Sequence, residues 1–316
     1  MKYYLGVDGG GTKTLVALFD ENSKMLDSVK TGGSNHENLP GSFPEAADII
    51  FGAVSELLKK NSLSVDDVSG CLMGLAGIDH PYQHDALYKE LYDRGLRRFD
   101  VLNDGFIITF AGLPDGVGIG YNCGTGTCCN SIGSDGRMLQ IGGFEALSGD
   151  MGNGHWIATS VFRAVYDDVC LAAGRTAMTD VLAGKLCADL DRDSLLSLIP
   201  KLDTEEGEEL IRMLIDVFFD VLNAGGDAAA DGICETMAVR GAKFICAHLR
   251  KQRFDGESVR VVLSGSIHTK LPSGKYLDAL RAECEKRSDG KKLDFIILDK
   301  PPVTGCVNKL LKDSAL

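Results

Sequence analysis

The sequence predicts an α/β protein made of two similarly built halves. The first observation behind this is the stretch YYLGVDGGGTKTLVALFD, residues 3–20, where an apolar run ends on Asp8 and three glycines come next. A second apolar run then begins, and its β-branched residues (Thr12, Thr14, Val16) favour a return strand over a helix. The second observation is a repeat of that grammar. Residues 117–120 are apolar and glycine-rich, Cys123-Gly124-Thr125-Gly126-Thr127 forms the turn, and 128–132 reads as the return strand. The third is the continuation of each hairpin: a polar loop, a third strand (25–29 and 138–141), then alternating helix and strand patterns. That order is consistent with a mixed sheet covered on both faces.

Consecutive glycines let backbone N–H groups turn toward an anion, so each turn is a candidate phosphate loop. Two better-known loops are excluded. A Walker loop needs Lys after its second glycine, but the frame from Gly6 to Gly11 is followed by Thr12. A dinucleotide fingerprint needs a third glycine where Thr14 stands, and a helix afterwards.

Taken in order, residues 32–38 are a polar loop. The apolar spacing of Ala47, Ile50, Phe51, Val54, Leu57 and Leu58 predicts a helix over 44–60. A strand over 68–76, a helix over 82–95 and a short strand over 99–102 come after it. That strand stops at Asn103-Asp104-Gly105, and a helix covers 106–113. Leu113-Pro114-Asp115-Gly116 marks the expected boundary between a domain of residues 1–114 and one of 115–302. The second half has its densest glycines at 142–154, a helix over 155–173, and a partly acidic helical stretch over 177–223. Helices over 228–251, 274–287 and 303–312 and strands over 259–263 and 294–298 complete it.

With 316 residues, 25% charged and 44% hydrophobic, the chain has ample core for such domains. A net charge of -12 argues against nucleic acid or an anionic membrane as a main partner. No apolar run approaches the roughly 18 residues of a membrane span, and the N-terminus enters a strand without a signal-like segment. Ten cysteines without a C-x-x-C pair fit reduced core thiols, so a cytoplasmic location is expected.

These motifs in this order resemble the sugar-kinase branch of the actin/hsp70/hexokinase superfamily, and within it the N-acetylglucosamine kinases and the BadF/BadG/BcrA/BcrD ATPase family. The resemblance runs over nearly the whole chain. It implies a two-domain actin-like ATPase (ribonuclease H-like) fold, each domain a mixed five-stranded sheet with helices on both faces. It further implies that the last helix, about 303–316, returns to the first domain, and that ATP and Mg²⁺ bind between the domains. The activity it implies is transfer of a phosphoryl group to a hydroxyl, the 6-hydroxyl, of an amino sugar such as N-acetylglucosamine or glucosamine. The partner is then a small-molecule sugar; the oligomeric state stays open, a homodimer being one expectation.

Asp104 ends an apolar strand and precedes a helix, the place where a carboxylate serves as general base in phosphoryl transfer to an alcohol, or simply caps the helix. The resemblance matches it to the family's catalytic Asp. Asp8 is placed to hold water on Mg²⁺, or to act as a turn residue. Gly9, Gly10, Gly11, Thr12 and Lys13 are expected at phosphate, with Lys13 equally a solvated strand side chain. Gly124, Thr125, Gly126 and Thr127 are expected at the β- and γ-phosphates. Asn35, followed by His36, matches the family's sugar-contacting Asn-His pair. Asp150 in Gly149-Asp150-Met151-Gly152-Asn153 matches Gly-Asp-Glu-Gly-Ser, whose Asp contacts sugar; Met151 and Asn153 depart from it. Phe144-Glu145 stands where relatives commonly have Trp-Gly; Glu145 either lies in the acceptor pocket, where it would favour an ammonium over an acetamide, or points to solvent at a loop edge. Gly265-Ser266 resembles the adenosine-binding glycine turn. Two other readings remain. A BadF-type ATPase activates a partner enzyme with an iron–sulfur cluster held by cysteines of two subunits, and the ten cysteines here lack cluster-like spacing. A non-catalytic nucleotide-binding regulator would bind ATP without sugar-stimulated ADP release.

Overall fold

The structure is a computed structural model that describes residues 2–201, 205–270 and 273–314. The chain divides into two compact units: Met1–Gly120 with Asn130–Leu139 and Leu298–Leu316, and Tyr121–Cys129 with Gln140–Ile297. The elements of the N-terminal part are β1 (Tyr3–Gly9), β2 (Lys13–Asp20), β3 (Met25–Gly32), α1 (Ser42–Lys60), β4 (Val68–Leu75), α2 (Pro81–Asp93), β5 (Phe99–Asn103) and α3 (Asp104–Gly112). Its sheet runs β3-β2-β1-β4-β5. The hairpin pairs β1/β2 and β2/β3 are antiparallel, and β1/β4 and β4/β5 are parallel.

Period-2 alternation sends the side chains of these strands to two faces. Leu5, Val7, Val16, Leu18, Met73, Leu75 and Val101 pack with Ile50, Val54 and Leu57 of α1 and Leu87 and Leu91 of α2. Tyr4, Ala17 and Phe19 look the other way and bury against Val303 and Val307 near the C-terminus. Helices therefore cover both faces.

The chain continues as β6 (Gly118–Cys123), β7 (Thr127–Ile132), β8 (Met138–Gly142), α4 (Glu145–Ser148), α5 (Gly154–Leu171), α6 (Ala177–Leu186), α7 (Arg192–Leu196), α8 (Glu205–Ala224), α9 (Ala228–Lys251), β9 (Ser258–Ser264), α10 (Ser266–Thr269), α11 (Gly274–Glu285), β10 (Lys292–Ile297) and α12 (Thr304–Ser314). The second sheet is ordered β10-β9-β6-β7-β8. Counted from the first strand of each sheet, both read third, second, first, fourth, fifth, so the repeat seen in the sequence is a repeat of topology. Helix α12 packs on β1, β4 and α3 of the first unit, where Cys306 Sγ lies 3.6 Å from Val7 O and Asn308 Nδ2 donates to Phe110 O.

The helical stretch 177–223 holds three α-helices among its described residues. Cys187 ends α6 in the left-handed conformation, and Asp191 with Ser194 makes a capping box that starts α7. Helix α9 begins at Ala228 because Asp227 caps it: one carboxylate oxygen accepts from Ala230 N at 2.9 Å and the other from Ala177 N at 2.7 Å. The short helices α4 and α10 carry no signal that the sequence pattern resolves.

Candidate functional site

In the first unit, the parallel register pairs Gly9 with Leu75 and Leu75 with Asn103, so β1, β4 and β5 end in one row. Three aspartates belong to that carboxyl edge: Asp8 on β1, Asp79 just beyond β4, and Asp104 just beyond β5. Asn103 is the residue that caps α3, its Oδ1 accepting from Gly105 N at 2.9 Å. Asp104 is the first helical residue, so the capping alternative belongs to its neighbour. Burial pushes the Asp104 carboxyl up to about 7, and the charges of Asp8 and Asp79 add to the effect. Burial likewise raises Asp8 to about 6, against the pull of Lys13.

Asn103 makes two further bonds. Its Nδ2 donates to Asp79 Oδ1 at 3.1 Å, and its Oδ1 also accepts from Asn130 Nδ2 at 3.1 Å. Gly105 makes room for this, since a Cβ there would stand 2.5 Å from the Asn130 amide carbon. The sequence pattern marked none of Asp79, Asn103 and Asn130 as a site residue. Asp79 carried the same signal as Asp104, an acid just past an apolar strand end, but Gly77 and Ile78 intervene.

The first glycine turn closes on itself through Gly10 N, which donates to Lys13 O at 2.9 Å. Gly10 O accepts from Ser34 N (3.0 Å) and Asn35 N (3.3 Å), and the buried Thr14 hydroxyl donates to Ser34 Oγ at 2.8 Å. These bonds dock the 34–38 loop on the turn and set Asn35 beside it. Gly11, Thr12 and Lys13 are exposed, with Gly9 buried beneath them. Asn35 Oδ1 accepts from Glu37 N and starts a short 3₁₀ turn. His36 stacks on Phe43 at 4.0 Å, and burial holds its imidazole below the ordinary histidine range despite Glu37 and Asp79 nearby.

In the second unit, Gly124 N donates to Gly126 O and Gly124 O accepts from Gly154 N, each at 2.9 Å. The turn is thus tied to the start of α5. Thr125 and Gly126 are exposed; Thr127 is buried, its hydroxyl 3.8 Å from Cys123 Sγ. Gly265, with φ of 87°, lies so close to Cys123 O that a Cβ there would collide with the backbone. The structure therefore brings Gly265-Ser266 to the second glycine turn.

Asp150 is buried and busy. Its carboxylate accepts from Gly143 N (2.9 Å) and Ser148 Oγ (2.7 Å), folding 142–150 into a closed loop, while burial raises its pKa. Arg240 of α9 grips the same loop at Gly149 O (2.8 Å) and Ser148 O and lies over the Phe244 ring; no local pattern in the sequence signals it. Asn153, which departs from the family's Ser, caps α5 through Trp156 N at 2.9 Å and bonds Asp150 O. Phe144 and Glu145 are both exposed on this loop, and Glu145 has a left-handed φ of 53°.

Chemically, the carboxyl edge offers a half-buried carboxylate with proton affinity near neutrality, beside a second one and a backbone turn with exposed donors. Among the described residues, no group of three or more His, Cys, Asp or Glu is placed to hold a metal ion. Mg²⁺ does not ask for such a cage, since one or two carboxylates with water and substrate phosphates suffice, and the half-buried Asp8 beside the glycine turn fits that need. All ten cysteines are free thiols, seven of them buried. No described helix is long and apolar enough to cross a membrane.

A family model described as the BadF/BadG/BcrA/BcrD ATPase family matches residues 5–296. The chain is 29% identical over 165 residues to an N-acetylmuramic acid/N-acetylglucosamine kinase of Clostridium acetobutylicum, covering 52% of this chain and 53% of that protein. It is 26% identical over 207 residues to an N-acetyl-D-glucosamine kinase of Dictyostelium discoideum, covering 60% and 62%. The matches thus span less than two thirds of either relative. A solved protein assigned as an N-acetylglucosamine kinase, from Chromobacterium violaceum, superposes with a TM-score of 0.67 at 18% identity over 98% of this chain and 99% of that one. That likeness shows the fold, an actin-like arrangement of two five-stranded mixed sheets flanked by helices.

Proposed function

The chain belongs to the BadF/BadG/BcrA/BcrD ATPase family, and from that premise we propose that it is an ATP-dependent kinase acting on an amino sugar. The observation that carries this reading is the pairing of Asp104 with Asp8 at one strand edge beside an exposed glycine turn. Asp104 accepts the proton of the sugar hydroxyl as that oxygen attacks the γ-phosphorus; the bond to the β-phosphate oxygen breaks and ADP leaves. A base with a proton affinity near 7 suits that transfer at neutral pH. Gly9, Gly10, Gly11, Thr12 and Lys13 serve phosphate from one turn, Gly124, Thr125, Gly126 and Thr127 from the other, with Gly265 and Ser266 at the adenosine. Asp8 would hold Mg²⁺, which would offset phosphate charge.

The acceptor is read as N-acetylglucosamine or glucosamine at its 6-hydroxyl, contacted by Asn35, Phe144, Glu145 and Asp150; the kinase names of the two curated relatives support that class. The same reading has residues 1–114 with about 303–316 as one domain and 115–302 as the other, in a cytoplasmic enzyme. Coupled ADP release measured over a panel of amino sugars tests it. A sugar-dependent rate is expected. Steady ADP release indifferent to every sugar would replace the kinase with an ATPase that serves a partner enzyme, and ATP binding without turnover would make it a regulator.

A further inference from the structure

We propose that the hydrogen-bonded chain Asn130–Asn103–Asp79 is a positioning device for Asp104, holding its backbone in place and keeping a second carboxylate beside it. The proposal rests on the reading of Asp104 as the base. Both lone pairs of Asn103 Oδ1 are filled, one by Gly105 N and one by Asn130 Nδ2, and its Nδ2 points to Asp79. That pattern fixes the amide orientation, because a flip would turn its NH₂ against two other N–H groups. The residues on either side of Asp104 are therefore clamped: Asn103 by its side chain, Gly105 by its N–H and by the Asn130 amide lying against its Cα.

Asn130 itself argues for more than packing. It is fully buried, and its Oδ1 has no hydrogen-bond partner among the described residues. An apolar side chain would fill the space without leaving a buried acceptor unpaired. What only an amide supplies here is the N–H that locks Asn103. At the other end, Asp79 and Asp8 are the like charges that face Asp104, from beyond β4 and from β1, and both favour its protonated form.

Three variants test this, each read by thermal melting and by kcat and KM for sugar-dependent ADP release. Asn103→Ser keeps a capping oxygen for α3 and removes the donor to Asp79. We expect a lower melting temperature, because Asp79 and the buried Asn130 amide lose a partner, together with a kcat at least about 10-fold lower and an unaltered KM for ATP, since misplacement of a base acts on the chemical step. Asn130→Ala leaves the cap and the Asp79 bond and should lower kcat by a few-fold. Asp79→Asn retains an oxygen for Asn103 and removes the charge, so the acid limb of kcat/KM should move to lower pH. Wild-type kcat in Asn103→Ser, or an acid limb unmoved in Asp79→Asn, would overturn the proposal. NMR titration of the Asp104 carboxyl needs no turnover. Its midpoint should fall in Asp79→Asn even if no sugar proves to be the acceptor, and a fixed midpoint would overturn the proposal independently of the kinase reading.

Discussion

The residue before the glycines is Asp8 in the first hairpin and Cys123 in the second. The two turns have the same place in sheets of the same strand order, yet they meet opposite electrostatic fates. Asp8, raised to about 6, still ionises at neutral pH, with Asp104 nearby. Cys123, pushed up to about 12 by burial, carries no charge at any physiological pH. A repeated backbone turn thus provides amide donors twice, and one side chain decides what each turn suits. On the kinase reading proposed above, the neutral turn would serve phosphate through its amides alone, whereas the first turn would serve it beside an acidic edge that calls for a cation and would hold the base.

The strongest way to break this division is Asp104→Asn. We expect sugar-dependent turnover to fall by about 10²–10⁴-fold while ATP still binds, the usual range for loss of a general base. Near-wild-type turnover would remove the base from the carboxyl edge and leave the two hairpins functionally alike.

Exchanging the distinguishing residues comes next. Asp8→Cys gives the first hairpin the second one's side chain and should raise the Mg²⁺ concentration for half-maximal rate by about 10–100-fold, as for residues that orient a metal's ligands. Cys123→Ser should leave kcat near wild type. Cys123→Asp should weaken ATP binding and lower the melting temperature, because it buries a carboxylate without a partner. Equal effects of Asp8→Cys and Cys123→Ser would erase the asymmetry.

A smaller effect arises from linkage. The folded pKa values of Asp8 and Asp104 lie above the ordinary 3.8, so the folded state holds more protons than the unfolded chain between about pH 4 and 7. Their contribution to stability is therefore greatest at low pH, falls as pH rises through that window, and is fully lost above it. Asp104→Asn should melt higher than wild type at pH 8, with the gain shrinking toward pH 4. Each kcal/mol relieved is worth about 2–4 °C. An equal shift at both pH values would mean that charge at this edge is not what strains it.

The hairpins were legible in sequence because glycine runs followed by β-branched residues constrain the chain locally, and α9 was legible as one long helical stretch, though its Asp227 cap was not read. Asp104 was legible as an acid at a strand end. Asn103's bond to Asp79 joins residues 24 apart, and Asn130's to Asn103 joins residues 27 apart. Such pairs exist only once the strands are in register, which no local pattern reports. Arg240, 91 residues from Gly149, was hidden for the same reason. Asp150 illustrates the converse: its motif was read, but its carboxylate's bonds to Gly143 and Ser148 come from how the loop folds back.

The smallest expected effect is at Glu145. A carboxylate in a closed acceptor pocket would discriminate an ammonium from an acetamide strongly. Here Glu145 is exposed on a short helix, so solvent and salt screen it, and an exposed charge pair is worth about 0.2–1 kcal/mol. Glu145→Gly should therefore shift the ratio of kcat/KM between glucosamine and N-acetylglucosamine toward the acetylated sugar by no more than about 5-fold, most visibly at low salt. The fold should tolerate the change, because glycine suits the left-handed backbone at this position. A shift well beyond that range would mean that the loop encloses Glu145 when sugar binds. A ratio unchanged at low salt would leave Glu145 without a part in choosing the acceptor.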